Sequence, residues 1–384
     1  MQLNHCYSSL SRSLTCTRRW KRHVVTSCRL HLKVYRRHSE RAPSNMFPHK
    51  ITNAGSDNNK RILSYFRGEG EGFVQVGDQK WIFPAEYERS AADFYQFSPR
   101  PDDVWIMTFP RSGTTLCQEL IWLLKNNLDT KKSAEIDMRA KASFLEFPIF
   151  MGPRLIQETM TLNADNSAAI DLLNKMYRPE FETAAELANP RIIKTHLPFC
   201  LLSPTLLPTS KVIYIARNPK DVIISYYHHN KLFKSNHHEY CGDLKTYWHF
   251  FKDNLVCFSP YWEHLKQAWT QRSHPNMLFL FYENLSKDQF SEIKKIAKFL
   301  DLNYSDEQLQ QLVDFMEINN FRQRVRNTLH SSVAIKGIIA DHTEEFIRNG
   351  KVNGGDPELT PELSKEIDEW TAAHLQNTDL RFPE

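Results

Sequence analysis

The chain is predicted to fold as one α/β domain, with a central, mostly parallel sheet flanked by helices. Three observations predict it. Four short apolar runs are separated by helical stretches, and they are continuously rather than alternately hydrophobic, as strands covered on both faces are. Glycine, proline and charged residues stand immediately after the runs, at the strand ends where open α/β sheets carry their ligands. The composition agrees, since 384 residues with 41% hydrophobic and 12% aromatic content suffice for one large core. No internal repeat or low-complexity linker divides the chain after Lys50.

The first run, 104–109 (VWIMTF), leads into Pro110, Arg111, Ser112, Gly113, Thr114 and Thr115. LCQELIWLL follows, in which Leu116, Cys117, Leu120, Ile121 and Leu124 share one helix face. Such a strand, loop and helix aim the amides of Gly113, Thr114 and Thr115 and the positive helix end at one spot. The result is a P-loop-like cradle for a phosphate or phosphosulfate. The motif GxxxxGK[ST] needs an earlier glycine and a lysine, which are missing, and this argues against a nucleotide triphosphatase or kinase. The second run, 192–195 (IIKT), ends in Lys194, Thr195, His196, Leu197 and Pro198. There a base for a hydroxyl proton stands two residues from a cation able to neutralise a leaving oxyanion. The third run, 212–216 (VIYIA), ends at Arg217, with Asn218 as helix cap, Pro219 at the first helical position and Asp221 in the first turn. Arg217 can fork two bonds to a phosphate, and Ser225 lies two turns into the helix. The fourth run, 277–282 (MLFLFY), ends at Tyr282, whose ring suits either an adenine edge or the core.

Ten of the 49 Lys/Arg and one of the 45 Asp/Glu fall within residues 1–45, leaving 39 against 44 and a body near −5. A mildly acidic body argues against a nucleic-acid partner. Arg29 and Lys33 interrupt the only lipophilic stretch near the N-terminus, so no membrane span is expected. The leader itself reads as a solvated basic arm, or a start at Met46, and otherwise resembles a mitochondrial transit peptide. The seven cysteines have no paired spacing and read as reduced. His228-His229 and His237-His238 are adjacent pairs, which on a helix point apart, and no HExxH or Cys/His ligand set occurs, so no metal is expected.

Taken in order and spacing, TFPRSGTT, KTHLP, YIARNPKDVIISYYH and FLFYENL resemble the cytosolic sulfotransferase family over residues 60–384. An insect-type member like retinol dehydratase is included in that resemblance. It implies transfer of a sulfuryl group from 3′-phosphoadenosine 5′-phosphosulfate (PAPS), without a metal, to a hydroxyl of a small apolar acceptor such as a phenol, steroid or retinoid. It also implies a cytoplasmic location. Arg111, Ser112, Gly113, Thr114 and Thr115 would hold the phosphosulfate, Arg217 and Ser225 the 3′-phosphate, and Tyr282 the nucleotide. His196 would be the base, with Lys194 and Arg111 stabilising the departing phosphate. Within FLEF, Phe144 and Phe147 would line the acceptor pocket.

Three departures from the family pattern stand out. Arg111 replaces a lysine and Leu116 replaces a tryptophan that stacks on adenine. The family's RKGxxGDWKxxF is matched to 335–346 (IKGIIADHTEEF), which keeps Lys336 and Gly337 as expected cofactor-binding residues, keeps Asp341 and Phe346, and puts Ile335 where a 3′-phosphate arginine belongs. Arg324 or Arg326 is the expected substitute. The family's dimer motif is not recognisable downstream, which leaves a monomer or another route to a dimer. The departures keep open a divergent lipophile binder, or a dehydratase-like member in which a sulfated allylic alcohol eliminates.

Overall fold

The computed structural model describes residues 47–384 except 69, 236, 330–334, 340–343, 349, 351, 353–355 and 384. The basic leader, with its transit-peptide reading, and Asp341 therefore lie outside the described residues.

The central sheet takes the order β5-β6-β4-β7-β8. Its strands are β4 (Val104–Thr108), β5 (Ser143–Phe144), β6 (Ile192–Thr195), β7 (Lys211–Ala216) and β8 (Met277–Phe281). Every pairing is parallel. The four apolar runs thus supply four strands, while the two-residue edge strand β5 carries no apolar run to announce it. A separate antiparallel sheet of β1 (Ile51–Asn53), β2 (Phe73–Val76) and β3 (Trp81–Pro84) precedes it. That sheet escapes the sequence reading because β1 is short and half exposed, and β3 ends in proline.

Successive residues of β4 and β7 feed opposite cores. Trp105, Met107, Val212 and Tyr214 enter one cluster, while Val104, Ile106, Ile213 and Ile215 enter the other. This explains the continuous hydrophobicity, because both faces of each strand meet apolar partners. The second core is closed by α1 (Thr114–Lys125), whose Cys117, Leu120, Ile121 and Leu124 are buried as its apolar face predicts. A third, smaller cluster joins α2 (Pro153–Leu162) and α3 (Ser167–Met176), through Met151, Leu155, Ile156, Met160, Ile170 and Leu173. Against the first core pack α4 (Pro219–Leu232), α5 (Leu244–Lys252) and α6 (Tyr261–Thr270).

The amino ends of β4 and β6 are pinned by a buried ion pair. Arg191 donates to Asp103 through Nε at 2.8 Å and through NH2 at 2.5 Å, and both side chains are almost fully buried. The parallel register then brings the carboxyl ends level, since Met107 pairs with Thr195, Thr108 with Ile215, and Ala216 with Phe281. Phe109, His196, Arg217 and Tyr282, each the next residue along, leave the sheet side by side. No helix among the described residues is long and apolar enough to cross a membrane.

Candidate active site

The loop after β4 turns sharply. Arg111 has a φ of 69° and Gly113, the cap of α1, has a φ of 105°. Gly113 is required twice over, because that conformation disfavours a side chain and a Cβ there would lie 2.7 Å from Cδ2 of Tyr282. The backbone therefore passes tightly beneath the Tyr282 ring, and the first-turn amides of α1, which have no carbonyl one turn back, face the same space. Ser112 is 1% exposed and its Oγ meets no partner among the described residues. Thr114 Oγ1 bonds Thr108 Oγ1 at 2.7 Å, and Thr115 lines the cavity with Leu116.

Three strand ends meet over this loop. Arg217 donates to the Arg111 carbonyl at 3.1 Å, and its guanidinium lies 4.2 Å from the Tyr282 ring centroid. Arg111 donates through Nε to Ser225 Oγ at 3.1 Å and through NH2 to the Phe346 carbonyl at 2.6 Å. Burial, and next the positive charge of Arg217, draw the Arg111 guanidinium down to about 10. Asp221 is the one carboxylate paired with these two buried guanidinium groups among the described residues, 3.8 Å from Arg217, so the pair keeps a net positive charge.

The C-terminal segment does not place its residues as the sequence reading expects. Lys336 exchanges backbone bonds of 3.0 Å with the side chain of Asn163, and its own side chain is 63% exposed. Gly337 packs against Leu162, while Ile335 and Ile338 join the cluster of α2 and α3. This stretch is a roof on the acceptor side, and neither Lys336 nor Gly337 lines the cavity. Arg324 lies flat on Phe315 at 3.8 Å and Arg326 pairs with Glu345, so neither reaches the cradle. Arg348 and Gly350 come there instead. Arg348 lines the cavity and depresses Arg111 electrostatically, and Gly350 accepts a bond from Tyr282 Oη at 3.2 Å. Sequence reasoning missed them by anchoring its alignment on the first Lys-Gly pair; the overlooked signal was the Arg-x-Gly of FIRNG. This segment is clasped to α4, where His228 bridges Glu344 at 2.8 Å and Asp356 at 2.7 Å. Arg348 bonds the same Asp356 at 2.8 Å.

His196 stands where β6 ends. Its Nδ1 lies 2.9 Å from the Thr108 carbonyl, which can only accept, so Nδ1 carries the hydrogen and Nε2 keeps its lone pair. Its backbone N–H donates to Glu146 Oε1 at 2.5 Å, while Thr195 Oγ1 donates to Glu146 Oε2 at 2.7 Å. The sequence reading did not single out Glu146. Burial raises that carboxyl to about 7 despite these bonds. Burial also lowers His196 to about 3, so the imidazole is neutral at physiological pH. Lys194 donates to Gln118 Oε1 at 2.8 Å, lies 5.1 Å over Phe144, and is lowered by burial to about 8.

Cradle and base open into one cavity of about 630 Å³. Its far side is aromatic and aliphatic. Phe144 packs on His196 at 5.2 Å, on Phe150 at 5.5 Å and on Phe147 at 6.1 Å, so both phenylalanines named from the sequence line it. His228 and His229 diverge on α4 as expected, His229 turning into the cavity beside Arg111 at 3.4 Å. His237 and His238 do not lie on a helix. They follow the end of α4 with their rings 3.9 Å apart, and both line the cavity.

A P-loop-like anion cradle at the head of a parallel sheet, joined through a neutral histidine to an apolar chamber, defines a group-transfer enzyme. Comparison with known proteins gives the group. Residues 101–379 match the sulfotransferase domain family. Luciferin sulfotransferase of Photinus pyralis is 30% identical over 321 residues, covering 80% of this chain and 81% of that protein. Retinol dehydratase solved with retinol and PAP, the desulfated product of PAPS, aligns with a TM-score of 0.78 and 32% identity, over 88% of this chain and 99% of that one. A second retinol dehydratase structure, with androsterone and inactive cofactor PAP, aligns with the same TM-score at 31% identity. The chain belongs to the sulfotransferase family. It is a PAPS-dependent enzyme that transfers a sulfuryl group to a small acceptor.

Proposed function

We propose that His196 is the general base of this transfer and that the acceptor is a ring-bearing lipophilic alcohol of retinoid or steroid size. The observation that carries the reading is the position of His196, with Nδ1 anchored to Thr108 and a neutral Nε2 at the junction of cradle and chamber. PAPS supplies an electrophilic sulfur on a phosphate leaving group. The residues present fit it, since Ser112 Oγ is buried without a partner and the Gly113 turn leaves no room for a side chain. His196 accepts the acceptor's hydroxyl proton at Nε2. Arg111, Lys194 and the amides of Gly113, Thr114 and Thr115 neutralise charge gathering on the phosphate. Arg217, Ser225 and Arg348 hold the 3′-phosphate, with Tyr282 beside the nucleotide. Phe144 and Phe147 orient the acceptor.

Replacing His196 by alanine tests the assignment. The expected result is a fall in kcat of about 10² to 10⁴ with PAP affinity unchanged. A variant that keeps its rate overturns it. A second reading is favoured by the likeness to retinol dehydratase across 88% of the chain: an allylic alcohol, once sulfated, eliminates. Incubation with PAPS and retinol distinguishes the two, because elimination releases inorganic sulfate and an anhydro product in place of a stable sulfate ester. We place the reaction in the cytoplasm, and N-terminal sequencing of the native protein tests it. A start at or before Met46 without cleavage supports this location, and a processed leader assigns the enzyme to mitochondria.

A further inference from the structure

The acceptor side of the cavity is apolar apart from a few groups, and two adjacent imidazoles there, His237 and His238, each keep a buried nitrogen without a partner among the described residues. His237 is 3% exposed and lines the cavity. Its Nδ1 is fully enclosed and has no hydrogen-bonding partner among the described residues. Its surroundings are rings, with Phe150 at 4.6 Å, His238 at 3.9 Å and Phe258 at 6.3 Å between centroids. His238 is anchored through Nδ1 by a bond to Ser235 Oγ, which leaves its own Nε2 buried without a partner among the described residues, while His237 has no such anchor. An imidazole always carries a donor or an acceptor on each nitrogen, and leaving such a group buried and unpaired is unfavourable. His196 packs on the same Phe258, at 5.5 Å. The base and His237 therefore share one aromatic ring of the chamber.

We infer that His237 is a specificity-determining residue that hydrogen-bonds a second oxygen on the acceptor, so that the preferred acceptor is a lipophile bearing a neutral keto or hydroxyl group besides the hydroxyl that is sulfated. The inference rests on the acceptor chamber proposed above. Burial holds His237 uncharged, with His238 and His196 adding to the effect, so it offers no counter-charge to a carboxylate. A carbonyl or hydroxyl oxygen satisfies it at no such cost, whereas an acceptor lacking that oxygen leaves the imbalance in place.

The test compares acceptors that differ by one oxygen and carry a single sulfatable hydroxyl: estrone against 17-deoxyestrone for a long span, and 6-hydroxy-2-tetralone against 6-hydroxytetralin for a short one. The readout is the ratio of kcat/KM within each pair, in wild type and in His237→Phe, His237→Leu and His237→Gln, with PAP titration as the measure of folding. For at least one pair the ratio should fall about tenfold in the Phe and Leu variants, the size of one hydrogen bond, and recover in part with Gln. A change of less than threefold for both pairs in every folded variant overturns the inference. If the wild-type enzyme sulfates none of the four compounds, the acceptor reading fails and the inference fails with it.

Discussion

At the scale of single residues, the site is built from side chains that follow strand ends, and those are the ones a sequence exposes. His196, Lys194, Arg217 and Tyr282 stand next to apolar runs, and Ser225 stands two turns into a capped helix, so local pattern places them. Arg348 is different, because its place depends on contacts between a non-helical segment and α4, and no local periodicity encodes those. The assignment of Arg348 in place of Ile335, Arg324 or Arg326 makes a direct prediction. Arg348→Ala should raise the Kd for PAP about 10- to 100-fold, the range of a charge-assisted hydrogen bond, while Arg324→Ala leaves it unchanged. Calorimetric titration checks both. Equal affinities in the two variants would return the 3′-phosphate to Arg217 and Ser225 alone.

At the scale of elements, the four apolar runs identify β4, β6, β7 and β8 because each feeds two cores, and the Asn218-Pro219 cap marks the start of α4. The sheet order and the roof of α2 and α3 are not legible, since they follow from long-range packing rather than from period or propensity. The register of β4 against β6 is anchored by Arg191 and Asp103 at the end remote from the site. Asp103→Ala leaves a buried guanidinium without its carboxylate and should cost about 3 to 5 kcal/mol. The urea midpoint measures that loss. PAP affinity of the folded fraction should not move, because the pair lies at the opposite ends of the strands; a parallel loss of affinity would show that the strand ends are coupled.

At the scale of the whole molecule, burial acts on many imidazoles at once. His196 is lowered to about 3 and His264 to about 4, and His229, His237 and His238 lie well below the usual histidine range, in each case chiefly by desolvation. An unfolded chain takes up these protons below about pH 6.5 and the folded one does not. Stability is therefore complete above that pH and is lost as pH falls, by up to about 1.4 kcal/mol per unit for each histidine. Glu146, raised to about 7, binds a proton in the folded state first and offsets one of the five. Thermal midpoints at pH 7.5 and 5.5 should show a marked acid-side drop. A midpoint that holds at pH 5.5 would mean that the imidazoles are charged within the fold.

The cavity that holds cradle and chamber has no wall between them. A molecule that carries adenosine 3′,5′-bisphosphate at one end and a lipophilic phenol at the other, joined by a short linker, can occupy both at once. Once its nucleotide half is seated, the phenol meets its subsite at an effective concentration in the millimolar range. Such a bisubstrate ligand should outcompete either half alone by about 10²- to 10⁴-fold. The same continuity that lets a hydroxyl reach sulfur thus leaves the enzyme open to inhibition by a single tethered compound.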